Sequence, residues 1–254
     1  MLEQQFFKDE LQVKVFDNRT AMGVDAAADV ARTMRALLQK KSHINMIFAA
    51  APSQSDFLRA LREEKEIDWS RVNVFHMDEY IGISIEQEQS FARFVKTYVA
   101  DPFEAGAFYP LNGMEKDISS ECARYTALLA QYPTDIVCMG IGENGHIAFN
   151  DPWVADFADT AAVKPVELDA TCRQQQVNDG CFPSLADVPT HAMTLTVPTL
   201  VKAPHLFCIV PAPTKANAVR ETLCGEIDEH CPASILRTRK GAVLYLDSDS
   251  AALL

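Results

Sequence analysis

Ile44-Asn-Met-Ile-Phe-Ala-Ala-Ala-Pro-Ser-Gln-Ser-Asp-Phe-Leu-Arg-Ala-Leu61 holds the unit from which the chain is built. Ile44 to Ala51 is a near-continuous apolar run, and Pro52 and Ser53 punctuate it. Phe57, Leu58 and Leu61 then recur at helical spacing before the charged stretch Arg62 to Lys65. A strand without polar alternation is one buried on both faces, and a helix directly behind it is the crossover that a parallel neighbour requires. Upstream, Leu11 to Phe16 alternates as a strand, and Asn18 can cap a helical pattern through Ala21, Val24, Val30, Met34 and Leu37. Downstream, Val72 to Phe75 and Ile136 to Ile141 read as further strands, with Phe91 to Tyr98 and Cys122 to Leu129 as helices. His205 to Val210, Thr214 to Leu223 and Ala242 to Leu246 continue as strand, helix and strand. The expected fold is α/β, a doubly wound and mainly parallel sheet in a three-layer sandwich.

Composition fits one such domain over residues 1–254. Apolar residues are 48% and charged residues 23% of the chain, which excludes a collagen, a disordered chain or a disulfide-stapled miniprotein. Lys and Arg number 23 against 35 Asp and Glu, a net charge of −12 that disfavours nucleic acid as a partner. Apolar runs such as Leu206 to Pro211 fall far short of the roughly 20 residues of a membrane span. Met1 to Glu10 has no apolar signal core, so a cytoplasmic location is expected. The seven cysteines, Cys122, Cys138, Cys172, Cys181, Cys208, Cys224 and Cys231, are scattered and lack metal-ligand spacing; they read as reduced thiols packed as small hydrophobes, and no metal is expected. The stretch from Trp153 to Pro189 has weak periodicity and a polar run, Arg173 to Asp179, and we expect a partly helical lid at about 153–187.

Ligands of open parallel sheets bind beyond the carboxyl ends of the strands. Asp78 and Glu79 follow the run Val72 to Phe75, where desolvation would raise a carboxyl towards general-base range; a turn or capping role is the alternative. Gly140-Ile-Gly-Glu-Asn-Gly-His-Ile-Ala-Phe-Asn-Asp-Pro152 is the stronger signal. It carries three of the ten glycines of the chain, among them Gly145, whose permissive backbone can bring amides to a ligand. His146 follows, with Asn144 and Asp151 able to fix its tautomer. A dinucleotide site is the weaker reading, because Ile147 to Asn150 and a proline follow the glycines. Lys215, after Pro211-Ala-Pro-Thr, opens a helix whose free amides could join its ammonium in holding a phosphate. His43, His76, His191, His205 and His230 stand alone in sequence and read as structural or surface residues.

Met77-Asp-Glu-Tyr-Ile-Gly82, residues 140–152 and Lys215 together resemble the glucosamine-6-phosphate deaminase (isomerase) family, which is related to 6-phosphogluconolactonases. The resemblance runs from about Ile44 to Asp247. The Gly-His-Ile-Ala-Phe-Asn string is similar to the deaminase side, whereas lactonases typically have Gly-His-Thr-Ala-Ser. It implies a modified Rossmann-like sandwich with a mobile lid, a cofactor-free reaction, and a phosphorylated amino sugar as the small-molecule partner; a homo-oligomer is left open. By the resemblance, His146 protonates the ring oxygen, Asp78 moves a proton from carbon 2 to carbon 1 through an enolamine, and Ser53, Gln54 and Lys215 hold the phosphate.

The chain departs from the family pattern at three places. Asn144 stands where many members have aspartate, and Asp151 where they have glutamate. Ala50-Ala-Pro-Ser-Gln-Ser55 replaces a Thr-Gly-Gly-Thr phosphate loop, and Pro52 has no amide to donate. A lid arginine expected near Asn178 is absent, with Arg173 the nearest substitute. These mark a divergent branch, for which lactone hydrolysis, the galacto epimer, or a non-catalytic sugar-phosphate binder are the alternatives. Asp78 discriminates, since neither a lactonase nor a pure binder needs a carbon-acid base.

Overall fold

The computed structural model describes every residue except Asp169 and Asp179, and leaves the side chains of Thr171, Cys172 and Gln175 undescribed as well. The buried-thiol reading of Cys172 and the end of the polar run at Asp179 therefore lie outside the described residues.

A β-hairpin of β1 (Leu2–Lys8) and β2 (Leu11–Phe16) leads into α1 (Arg19–Leu38), β3 (Ile44–Phe48) and α2 (Ser55–Glu63). Next come β4 (Val72–His76), β5 (Asp78–Tyr80), α3 (Phe91–Val95), β6 (Ala107–Tyr109), α4 (Ile118–Gln131) and β7 (Ile136–Met139). The chain continues through β8 (Val163–Glu167), α5 (Ala170–Asn178), β9 (His191–Leu195), α6 (Val197–Val201), β10 (His205–Val210), α7 (Ala216–Cys224) and β11 (Ala242–Asp247). Asn18 does cap α1: its side chain accepts the amide of Ala21 at 2.8 Å.

The main sheet runs in the order β1-β2-β11-β10-β7-β3-β4-β6, parallel throughout except for β1 at its edge. Alternate residues of its strands enter two different cores. Met46, Phe48, Cys138 and Ile209 face Met22, Val30 and Met34 of α1 and Phe57 and Leu61 of α2. Ile47, Val137, Met139 and Cys208 face Tyr125 of α4, Leu200 of α6, Val219 of α7, and Met193 and Leu195 of β9. Both faces being covered is why these strands read as unbroken apolar runs.

Crossovers from β3 move the chain towards β4 and β6, whereas those from β7 move it the other way, to β10 and β11. β3 and β7 are adjacent, so their carboxyl ends flank the crevice where the winding reverses.

Several elements go beyond the sequence reading. β1 is a mostly exposed edge strand with no apolar alternation to announce it. β5, β9 and β8 form a small antiparallel sheet of three-residue and five-residue strands, too short for a periodic window. Val163–Glu167 lies within the proposed lid but pairs with β9 in unbroken register, and its Val166 packs with Tyr80, Phe149 and Phe182 in a separate small core. The helix expected in that stretch is α5.

Candidate active site

The crevice between the ends of β3 and β7 opens into a cavity of about 290 Å³, at the small end of ligand pockets. Its walls come from the four post-strand segments singled out above: residues 49–53 after β3, Met77 and Asp78 after β4, residues 140–142, His146, Ala148 and Phe149 after β7, and Pro211, Ala212, Thr214 and Lys215 after β10. Phe91, Gln176 and Cys181 close the remaining side.

Asp78 and Glu79 are neighbours on β5 with opposite environments. Asp78 lines the cavity, and among the described residues its carboxyl accepts no hydrogen bond. Burial, and next the charge of Glu79, hold its pKa well above the ordinary carboxylate range. Glu79 points the other way and accepts four hydrogen bonds, from Ser90 Oγ (2.7 Å) and from the amides of Ala92 (2.8 Å), Tyr80 (3.0 Å) and Phe91 (3.1 Å). Burial raises Glu79 too, with those four donors opposing. Glu79 thus ties the start of α3, and with it the cavity-lining Phe91, to β5.

Behind Asp78 sits His76, fully buried. Its Nε2 accepts the amide of Leu111 at 2.9 Å, so the proton is on Nδ1, which donates to the carbonyl of Asp78 at 2.8 Å. Burial pushes its pKa down to about 4, keeping the ring neutral and the Asp78 backbone fixed. The structural reading of His76 holds.

The glycine-rich segment positions His146. Gly142 lies under the imidazole so closely that a Cβ there would collide with the ring. Asn144 Oδ1 is 2.7 Å from His146 Nδ1, and Asn144 Nδ2 donates to Asp151 Oδ1 at 2.7 Å. A carboxylate accepts from the amide nitrogen, so Asp151 decides which way Asn144 faces; the amide oxygen then requires a proton on Nδ1. Nε2 is left to exchange a proton with a ligand. Asp151 Oδ1 is itself 3.1 Å from Nδ1, so an imidazolium here has a carboxylate in contact despite Asn144. Ala148, next along the wall, holds φ +53°, a strained conformation of the kind functional loops retain. Gly140, Gly142 and Gly145 do match the Gly-x-Gly-x-x-Gly spacing, but no helix follows: Ile147 and Asn150 close a tight bridge instead.

The other end of the cavity carries Arg19, Ser53, Thr214 and Lys215. Ser53 and Lys215 fall where the sequence places them. Three expected ligand contacts do not line the cavity. Gln54 turns inward, with 1% exposure, and its Nε2 donates to Ser53 Oγ and to the carbonyl of Ile209, both at 3.2 Å, so it braces the loop. Gly145 takes φ +85° at the turn before His146 and abuts Cys231. Arg173 is spent on the carbonyls of Leu185 (2.6 Å) and Val188 (2.8 Å). Arg19, Phe91 and Gln176 were not read from the sequence. Arg19 directly follows a strand and its cap, the one signal that could have placed it.

Among the described residues no helix is long and apolar enough to cross a membrane.

A family model described as glucosamine-6-phosphate isomerases/6-phosphogluconolactonase matches residues 17–245. The chain is 33% identical over 217 residues to a glucosamine-6-phosphate deaminase of Bacillus cytotoxicus, covering 85% of this chain and 80% of that protein. It is 31% identical over 243 residues to one of Bacillus cereus (strain G9842), with 96% and 88% covered. Among solved structures, a monomeric glucosamine-6-phosphate deaminase superposes with a TM-score of 0.84 at 27% identity, over 95% of this chain and 99% of that one. A 6-phosphogluconolactonase from Shewanella baltica OS155 shares the fold, with a TM-score of 0.77 at 17% identity over 95% and 99% of the two chains.

Proposed function

From its membership of the glucosamine-6-phosphate isomerase/6-phosphogluconolactonase family, to which this chain belongs, we propose that it is a glucosamine-6-phosphate deaminase, converting glucosamine 6-phosphate and water to fructose 6-phosphate and ammonia. The observation that carries the choice within the family is Asp78: a buried carboxyl with a raised pKa and, among the described residues, no hydrogen bond, on the wall of the cavity. A carbon-bound proton needs such a base, held out of water and strong enough to accept it; lactone hydrolysis does not.

In this reading His146 Nε2 protonates the ring oxygen and the pyranose opens, the Asn144 and Asp151 contacts at Nδ1 supporting the charged ring. Asp78 takes the proton from carbon 2 and returns it to carbon 1. Through the enolamine, the carbonyl oxygen gains a proton as the amine gives one up to become an imine. Water adds at carbon 2 and ammonia leaves. Ser53 and Lys215 hold the phosphate, fixing the reacting carbons against Asp78. The segment around α5, which brings Gln176 and Cys181 to the cavity, serves as the lid that excludes water. The described cysteines form no disulfide, which supports a reducing compartment, and we place the enzyme in the cytoplasm.

Incubation with glucosamine 6-phosphate, assayed for ammonia and fructose 6-phosphate, tests the reading. Stoichiometric release of both is expected. No ammonia from either the gluco or the galacto substrate would remove it.

A further inference from the structure

At the phosphate end of the cavity several backbone amides are missing or already engaged. Pro52, Pro211 and Pro213 have none. The amides of Ala49, Gln54, Ala212 and Lys215 already donate, to the carbonyls of Cys138, Ala51 and Ala212 and, from Ala212, to the carboxyl of Asp247. Ala212 is fixed there at φ +89°, so this loop has little freedom to turn an amide outward. The chain as a whole carries a charge of −12, which opposes the approach of a dianion.

We propose that Arg19 is a phosphate-binding residue, acting with Lys215 to add side-chain charge to the hold on the substrate dianion. The proposal rests on the sugar-phosphate reading above. Arg19 begins α1, one turn before Gly23, where α1 and α2 meet at backbone distance: a Cβ on Gly23 would stand 2.9 Å from the carbonyl carbon of Asp56 and the nitrogen of Phe57. That close approach lays Arg19 across the turn after β3 and onto the cavity wall. One side of its guanidinium is anchored, Nε to Asp56 and Nη2 to the carbonyl of Pro52 at 3.4 Å, while Nη1 makes no hydrogen bond among the described residues. Asp56 does not cancel it, because the same carboxylate also pairs with Arg59. A fork held on one edge and open on the other is pre-organised for a phosphate oxygen. Ser53 Oγ and Thr214 complete the set of donors on this wall.

Arg19→Gln, Arg19→Lys and Asp56→Asn test it, each checked for folding by circular dichroism. A charge-assisted hydrogen bond is worth enough that Arg19→Gln should raise KM for glucosamine 6-phosphate by about 10- to 100-fold. kcat should change by only a few-fold, and Arg19→Lys should recover part of the loss. Binding of inorganic phosphate, measured by calorimetry, should weaken in parallel. An unchanged KM and unchanged phosphate affinity in Arg19→Gln would overturn the proposal. So would a loss that Asp56→Asn reproduces in full and Arg19→Lys does not relieve, since Arg19 would then act only by packing the two helices. If the wild type releases no ammonia, the deaminase reading fails by itself, and the phosphate titration still decides the role of Arg19.

Discussion

The two sides of β5 carry adjacent carboxyls put to opposite uses. On the cavity side, Asp78 is buried and accepts no hydrogen bond among the described residues, and burial raises its pKa well above the usual range. On the inner side, Glu79 is at least as buried, yet four donors saturate it and bind α3 to the strand. Burial alone therefore does not make a reactive group. What separates the two is whether the protein supplies the hydrogen bonds or leaves them for a substrate. Their replacement should shift stability in opposite directions, which is a sharp way to break the comparison.

The largest effect is expected from Asp78→Asn. The amide keeps the shape but cannot accept a carbon-bound proton, so kcat should fall by roughly 10²- to 10⁴-fold while substrate still binds. Stability should rise. A carboxyl whose folded pKa lies above its unfolded value favours the fold at pH below the unfolded pKa, and that contribution is lost as pH climbs through the raised one. At neutral pH burying this carboxyl costs stability that a neutral amide does not, so Tm should exceed that of the wild type, with the gap closing as the pH is lowered to the ordinary carboxylate range.

Glu79→Gln should do the reverse. An amide nitrogen would face two of the four donors, and an unmet buried donor costs about 1–3 kcal/mol, so Tm should fall. Phe91 would be held less firmly, raising KM. With the neighbouring charge gone, Asp78 ionises more easily, and the acid limb of kcat/KM should move to lower pH. A thermal scan and a pH profile check both. A Glu79→Gln protein as stable as the wild type would mean that the four hydrogen bonds are not what holds α3.

The smallest effect concerns His146, which combines the two patterns: bonded at Nδ1, open at Nε2. Asn144→Asp adds a second negative charge beside the ring and favours imidazolium, so the alkaline limb should move up by about one pH unit. The contact from Asp151 at 3.1 Å already supplies one such charge, which keeps the expected gain modest. The gain should appear with the cyclic substrate and vanish with an analogue fixed in the open chain. Equal gain on both would show that Asn144 acts on something other than ring opening.

Much of this was legible in the sequence. Unbroken apolar runs followed by helical spacing gave the parallel sheet, and the ends of those runs gave Asp78, His146, Ser53 and Lys215, because a parallel sheet gathers its carboxyl ends on one side. The exceptions follow a rule. Gln54 and Arg173 lie in the right segments, but nothing in a one-dimensional pattern says whether a side chain faces ligand or loop, and theirs meet carbonyls of their own surroundings. Arg19 reaches the cavity only through the close packing of α1 on α2 at Gly23, a contact between residues more than thirty positions apart. The short strands β5, β8 and β9 carry no period long enough to be read.

Asp78 as the carbon-acid base is the central claim, and isotope exchange tests it most directly. With glucosamine 6-phosphate deuterated at carbon 2, the wild type should carry deuterium from carbon 2 to carbon 1 of fructose 6-phosphate and lose the remainder to water. Asp78→Asn, saturated with the same substrate, should do neither. Undiminished exchange in Asp78→Asn would contradict the account and move the base elsewhere.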